Sequence, residues 1–214
     1  MGARATALRR RRASTTARRG RPELTTQTTV RPSLRLGALE PVHRDRVEEI
    51  LRATGVFRED EVAVALELFD EAMRDERGGR REHRPASSAF RLPRPDYVFL
   101  GAFHADSLVG FSCHGPTPGT DRTFDLYWIA VDPSLQGGGS GTALLVEVER
   151  ELAAAGARML VVETSSRPEY VATRAFYVRR GYTEAARLRA FYAPGDDRVI
   201  FTKRLPGPTA GTER

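Results

Sequence analysis

The segment Gln136-Gly137-Gly138-Gly139-Ser140-Gly141 stands between two stretches of different periodicity. Thr123 to Val131, before it, is apolar, aromatic and β-branched and reads as a strand. After it, Leu144, Leu145, Val148 and Leu152 recur at offsets of one, four and eight, which is one face of a helix. A glycine-rich turn from strand to helix can bring bare backbone N–H groups against an anion, and the helix dipole favours negative charge at that end. The chemistry these residues suit is capture of a phosphate or pyrophosphate. A flexible glycine linker is the competing reading, but it would not call for a regular strand and helix at its ends.

Spacing separates the kinds of phosphate loop. A P-loop needs Lys and then Ser or Thr after its last glycine, whereas Gly141 is followed by Thr142 and Ala143. The dinucleotide pattern G-x-G-x-x-G fails from either start, ending on Thr142 or Leu144. A nucleophile elbow centred on Ser140 would need glycine at Thr142. The pattern that fits is Q-x-x-G-x-G, filled by Gln136, Gly139 and Gly141. It resembles the acyl-coenzyme A pyrophosphate loop of the GNAT superfamily of N-acetyltransferases. Downstream, Tyr170 to Tyr182 contains Phe176-Tyr177-Val178-Arg179-Arg180-Gly181-Tyr182, which resembles the second signature of that superfamily, F-Y-x-x-x-G-Y/F on a short helix. The likeness extends over roughly Val30 to Leu205, and the two motifs in this order and spacing carry it.

The resemblance implies a chemistry. Acetyl transfer to an amine needs a base or water relay to remove a proton, a backbone N–H for the developing oxyanion, and an acid for the departing thiolate. Acetyl-coenzyme A is the implied cosubstrate, its pantetheine arm beside the backbone of Ile129, Ala130 and Val131. Its pyrophosphate would lie on the N–H groups of Gln136, Gly137, Gly138, Gly139, Ser140, Gly141 and Thr142. The implied acid is Tyr177, because a phenol with a pKa of about 10 is protonated at neutral pH. Two carboxylates compete as base. Asp125 lies eleven residues before Gln136, where some members carry a catalytic Glu, and strand alternation puts it on one face with Tyr127, Ile129 and Val131. Glu163, on the neighbouring strand, stands closer to the expected opening between strands. Two positions depart from the family pattern. Gly137 and Gly138 stand where many members have Arg or Lys, so phosphate binding is expected to rest on N–H groups and the dipole. Tyr170 stands where an Asn often bonds the pantetheine arm.

Composition bounds the rest. A chain of 214 residues suits one well-buried domain. No run of eighteen apolar residues occurs, so no membrane span is expected. Cys113 is the one cysteine, which leaves no internal disulfide and suits a reducing, cytoplasmic compartment. It sits in an apolar run and reads as a core thiol. His43, His83, His104 and His114 show no metal-ligand spacing, and no metal site is read. The net charge of +6 is unevenly divided: residues 1–36 hold ten Arg against Glu23, a net of +9, and the remaining 24 basic and 27 acidic residues give −3. Residues 1–28 therefore read as a disordered Arg-rich arm. Four readings of the arm stay open: a solvated tail, a weak contact with nucleic acid or anionic lipid through counterion release, an organelle transit peptide, or a start codon placed too far upstream.

The domain expected over 29–206 alternates elements, with 207–214 as a tail. A strand near Thr29–Leu36 precedes a helix with Val47, Ile50 and Leu51 on one face. A second helix opens on Glu59, Asp60 and Glu61, where acids suit the dipole, and carries Val62, Leu66, Phe69 and Met73. Arg77–Arg94 reads as a loop. Strands follow at Tyr97–His104 and Ser107–Cys113, then the motif strand and helix, a strand at Met159–Thr164, the Tyr170 helix, and a hairpin of Thr183–Tyr192 with Arg198–Arg204 around Pro194-Gly195-Asp196-Asp197. The fold class is α/β (α+β): a mixed, mostly antiparallel sheet with helices on both faces, as the resemblance also implies. The function expected is N-acetyl transfer from acetyl-coenzyme A to a primary amine by direct attack, with a homodimer as a compatible assembly. The alternative is a non-catalytic acyl-coenzyme A-binding domain whose basic arm contacts nucleic acid. The first two helices and the Arg77–Arg94 loop are expected to border the acceptor.

Overall fold

The computed structural model describes residues 33–78 and 97–206; the arm, most of the expected 77–94 loop and the tail lie outside the described residues. Seven strands form one sheet in the order β1-β2-β3-β4-β5-β7-β6. The strands are β1 (Leu34–Ala38), β2 (Val98–His104), β3 (Ser107–Pro116), β4 (Thr123–Val131), β5 (Met159–Ser165), β6 (Thr183–Ala193) and β7 (Asp196–Arg204), and the helices are α1 (Arg44–Thr54), α2 (Glu59–Gly78), α3 (Ser140–Ala154) and α4 (Val171–Val178). Every neighbouring pair is antiparallel except β4–β5. A parallel pair needs a crossover, and α3 supplies it.

Each face of the sheet carries its own core. Val47, Ile50 and Leu51 of α1 and Val62, Phe69 and Met73 of α2 pack with Phe99, Phe111, Cys113 and Ala130 on one face. Leu144, Leu145, Val148 and Leu152 of α3 pack with Tyr177, Leu126, Leu160, Val162 and Phe201 on the other. These are the helix positions that the apolar spacing marked, because a helix on a sheet buries the one stripe that faces it. Cys113 is fully buried and its thiol is pushed well above the ordinary value by loss of solvent, as befits a core group. Helix α2 runs to Gly78, two residues into the stretch expected as loop.

Two irregularities in the sheet shape the site. The first is a bulge in β4: Trp128 pairs with Cys113 and Leu126 with His114, so Tyr127 is the extra residue on β4. The second is a divergence: β4 and β5 pair from Thr123/Met159 to Leu126/Val162 and no further, although β4 continues to Val131 and β5 to Ser165. At the far edge β6 is exposed along its whole length, with Leu188, Phe191 and Tyr192 carrying its large apolar side chains.

Candidate active site

The bulge corrects the expected alternation along β4. Phe124 and Leu126 belong to the α3/α4 core, and beyond the bulge Ile129 and Val131 join that same core. Tyr127, Trp128 and Ala130 pack on the α1/α2 side instead. An inserted residue shifts side-chain parity by one, so Asp125 shares a face with Tyr127 but not with Ile129 or Val131. Asp125 lies opposite Gly115 and Val161, inside the paired part of β4 and β5. Its carboxylate accepts a 2.8 Å bond from the Thr117 hydroxyl, and burial raises its pKa against the pull of that bond and of Arg198. It does not line the pocket described below.

On the α3 side of the divergence lies the glycine loop. Asp132 closes β4: its carboxylate accepts from the Ser134 N–H at 2.9 Å and the Ser134 hydroxyl at 2.6 Å, and it pairs with Arg46 of α1. A short 3-10 turn over Pro133–Leu135 follows, and the Gln136 side chain folds back to donate to the Val131 carbonyl at 3.4 Å. Gly137 and Gly139 have φ of +81° and +91°, the left-handed region that side chains rarely enter, and the space where a Cβ would stand is open at both. The first helical bond runs from the Ala143 N–H to the Gly139 carbonyl at 2.9 Å, so the N–H groups of Ser140, Gly141 and Thr142 have no partner within the helix. An anion can use all three.

Charge reaches this loop from a residue that sequence reasoning missed. Arg180, just past α4, donates to the Thr142 hydroxyl and to the Phe176 carbonyl at 3.0 Å, with its guanidinium 3.6 Å from the Phe176 ring centroid. No spacing rule links positions 180 and 142; they meet because α3 and α4 lie on one face of the sheet. Tyr177 of α4 is 2% exposed, packed edge-on against Phe176 and Tyr182 and tilted against Phe201, and burial pushes its phenol well above the ordinary value.

On the opposite side of the divergence is a cavity of about 180 Å³ whose walls come from the α1–α2 connection (Phe57), the first turn of α2 (Glu61), β4 (Tyr127, Trp128), β5 (Glu163) and the β6–β7 hairpin (Tyr192). Glu163 thus faces the pocket, paired with Arg198 of β7. Glu61 lines it as well, while its neighbours Glu59 and Asp60 pair with Arg52 and Arg58 on the surface. Tyr170, expected with the cofactor groups, lies here too. Its hydroxyl donates to the Val56 carbonyl at 3.3 Å, and Arg167 donates to the same oxygen at 3.1 Å, so the pair ties the α1–α2 connection to the end of β5. Burial raises the Tyr170 phenol, with the Glu61 charge adding to it. Of the expected cofactor residues, Ile129, Val131 and 136–142 therefore lie on the α3 side, and Ala130 and Tyr170 on the other side with Glu163.

The family model described as Acetyltransferase (GNAT) family matches residues 64–182. The chain belongs to that family of acetyltransferases. An acetyltransferase of the GNAT family from Desulfovibrio desulfuricans has the same fold, with a TM-score of 0.68 and 37% identity over 80% of this chain and 98% of that one. The mycothiol acetyltransferase of Amycolatopsis mediterranei (strain U-32) is 29% identical over 150 residues, which are 67% of this chain and 48% of its own, so this chain spans about half the length of that relative. PaiA N-acetyltransferase from Thermoplasma acidophilum, crystallised in complex with coenzyme A, shares the fold with a TM-score of 0.58 at 18% identity, over 80% of this chain and 99% of that one.

Proposed function

We propose that the chain moves an acetyl group from acetyl-coenzyme A to a primary amine by direct attack. The divergence of β4 and β5 beyond Leu126 and Val162 carries this reading. It opens one gap in the sheet, with an anion-binding loop on one side and a pocket holding an acid on the other. Acetyl-coenzyme A lies with its pyrophosphate on the N–H groups of 136–142 and its pantetheine arm along the backbone of Ile129, Ala130 and Val131, whose β5-facing edge has no strand partner among the described residues.

The acceptor amine enters from the pocket as an ammonium and gives a proton to Glu163, directly or through a water. Glu163 is favoured over Asp125 because it lies past the divergence and lines the pocket. The freed amine attacks the thioester carbonyl carbon, and a β4 backbone N–H receives the oxyanion. As the C–S bond breaks, the thiolate takes a proton from Tyr177, whose raised pKa keeps it protonated at neutral pH. The products are the N-acetyl amine and coenzyme A.

Thiol release from acetyl-coenzyme A against a panel of amines tests the reaction. Turnover should depend on Glu163: Glu163→Gln lowers it by about 10²–10⁴-fold, whereas Asp125→Asn leaves it within a few-fold. The reverse ranking would transfer the role to Asp125, and a panel with no release would end the proposal.

A further inference from the structure

The acceptor pocket itself names a substrate class, and this inference rests on the acetyl-transfer reading above. The bulge at Tyr127 is its first element. A regular strand sends successive side chains to opposite faces, but here Tyr127 and Trp128 both turn to the pocket side, their ring centroids 6.2 Å apart at an interplanar angle of 35°. Phe57, Tyr170 and Tyr192 add three more rings to the walls. A pocket walled by five aromatic rings fits a flat apolar body, and ring faces also attract an ammonium.

Charge is the second element. The pocket's guanidinium groups are already matched: Arg58 pairs with Asp60 and Glu61, and Arg167 with Asp196. Glu163 pairs with Arg198. Among these lining residues and their ion-pair partners, three guanidiniums face four carboxylates, a net of −1. One ammonium balances that charge. A second cationic centre would exceed it, and a carboxylate on the ligand would find no unmatched cation.

Size completes the description. A cavity of about 180 Å³, at about 10–15 Å³ for each water-sized centre, has room for roughly 12–18 non-hydrogen atoms. That is too small to enclose a peptide chain or a multi-ring sugar.

We propose that the acceptor is a small primary-amine monocation with a flat apolar body, seated against Tyr127 and Trp128 with its ammonium toward Glu163. The probe is 2-phenylethylamine, compared with phenylalanine (the same body plus a carboxylate), spermidine (more than one cationic centre) and a peptide beginning with alanine. With the full chain and acetyl-coenzyme A, kcat/KM for 2-phenylethylamine should exceed each of the others at least tenfold. Tyr192→Ala, at a position 38% exposed on the edge strand, removes one ring without opening a core. It should raise the KM for 2-phenylethylamine by about three- to tenfold while leaving thermal stabilisation by coenzyme A unchanged. A higher kcat/KM for phenylalanine, spermidine or the peptide, or an unchanged KM in Tyr192→Ala, overturns the assignment. Stabilisation by coenzyme A without turnover of 2-phenylethylamine overturns the substrate class alone. Absence of any stabilisation by coenzyme A overturns the acetyl-transfer reading and the acceptor with it.

Discussion

Arg180 and Thr142 are 38 positions apart in the chain, yet the Arg180 guanidinium donates to the Thr142 hydroxyl in the first turn of α3, held over the Phe176 ring at 3.6 Å. The contact puts a positive charge beside a loop whose own sequence has none between Gln136 and Thr142. Burial and the neighbouring Arg179 charge lower the Arg180 pKa, so the cation is held where an arriving phosphate would favour it. Arg180→Leu should weaken coenzyme A binding by about tenfold, or about 1.4 kcal/mol, with little change in the kcat at saturation. Calorimetric titration measures it, and the difference should shrink as salt rises.

The glycine loop separates two effects. Gly139 has φ of +91°, so Gly139→Ala adds strain of about 1–2 kcal/mol and should lower the melting temperature of the protein alone. Gly138 lacks that left-handed backbone, and its Cβ would meet only the Leu135 carbonyl at 3.3 Å. Gly138→Glu should keep most of the stability and abolish the thermal shift given by coenzyme A, because it places negative charge where a pyrophosphate is to bind. A retained shift would move the phosphate site elsewhere.

Tyr177→Phe keeps the ring contacts with Phe176, Tyr182 and Phe201 and removes one hydroxyl. If that hydroxyl protonates the thiolate, turnover should fall by about 10²–10⁴-fold with coenzyme A affinity unchanged. Full turnover would reduce Tyr177 to packing.

Asp125 offers a pH signature that is independent of catalysis. Its folded pKa is raised by burial, so the native state binds its proton more readily than the unfolded chain does. The contribution to stability is full below the unfolded value near 3.9 and is lost as pH rises through the folded value. Asp125→Asn should therefore raise the melting temperature at pH 7, and the gain should fade toward pH 4. A gain that persists at pH 4 would show that the substitution acts through packing rather than charge.

Deleting residues 1–28 should leave the thermal shift with coenzyme A unchanged, because the Arg-rich arm lies outside the family match at 64–182. A lost shift would make the arm part of the cofactor site.

By itself the sequence determined what depends on near neighbours along the chain. The offsets of Leu144, Leu145, Val148 and Leu152 marked the buried stripe of α3, and the runs at Thr123–Val131 and Met159–Thr164 marked two adjacent strands. The glycine spacing marked the loop between them, since the left-handed backbone at Gly137 and Gly139 is a local demand that glycine alone meets without strain. Tertiary structure decided which groups meet. The bulge at Tyr127 left no trace in an alternating pattern, because it arises from how β4 pairs with β3, and it undid the expected grouping of Asp125 with Ile129 and Val131. The pocket joins Phe57, Trp128, Glu163 and Tyr192, drawn from four separate elements. The choice between Asp125 and Glu163 turned on where β4 and β5 cease to pair. The last pair, Leu126 with Val162, joins residues 36 positions apart in the chain, so no local pattern encodes where the pairing ends.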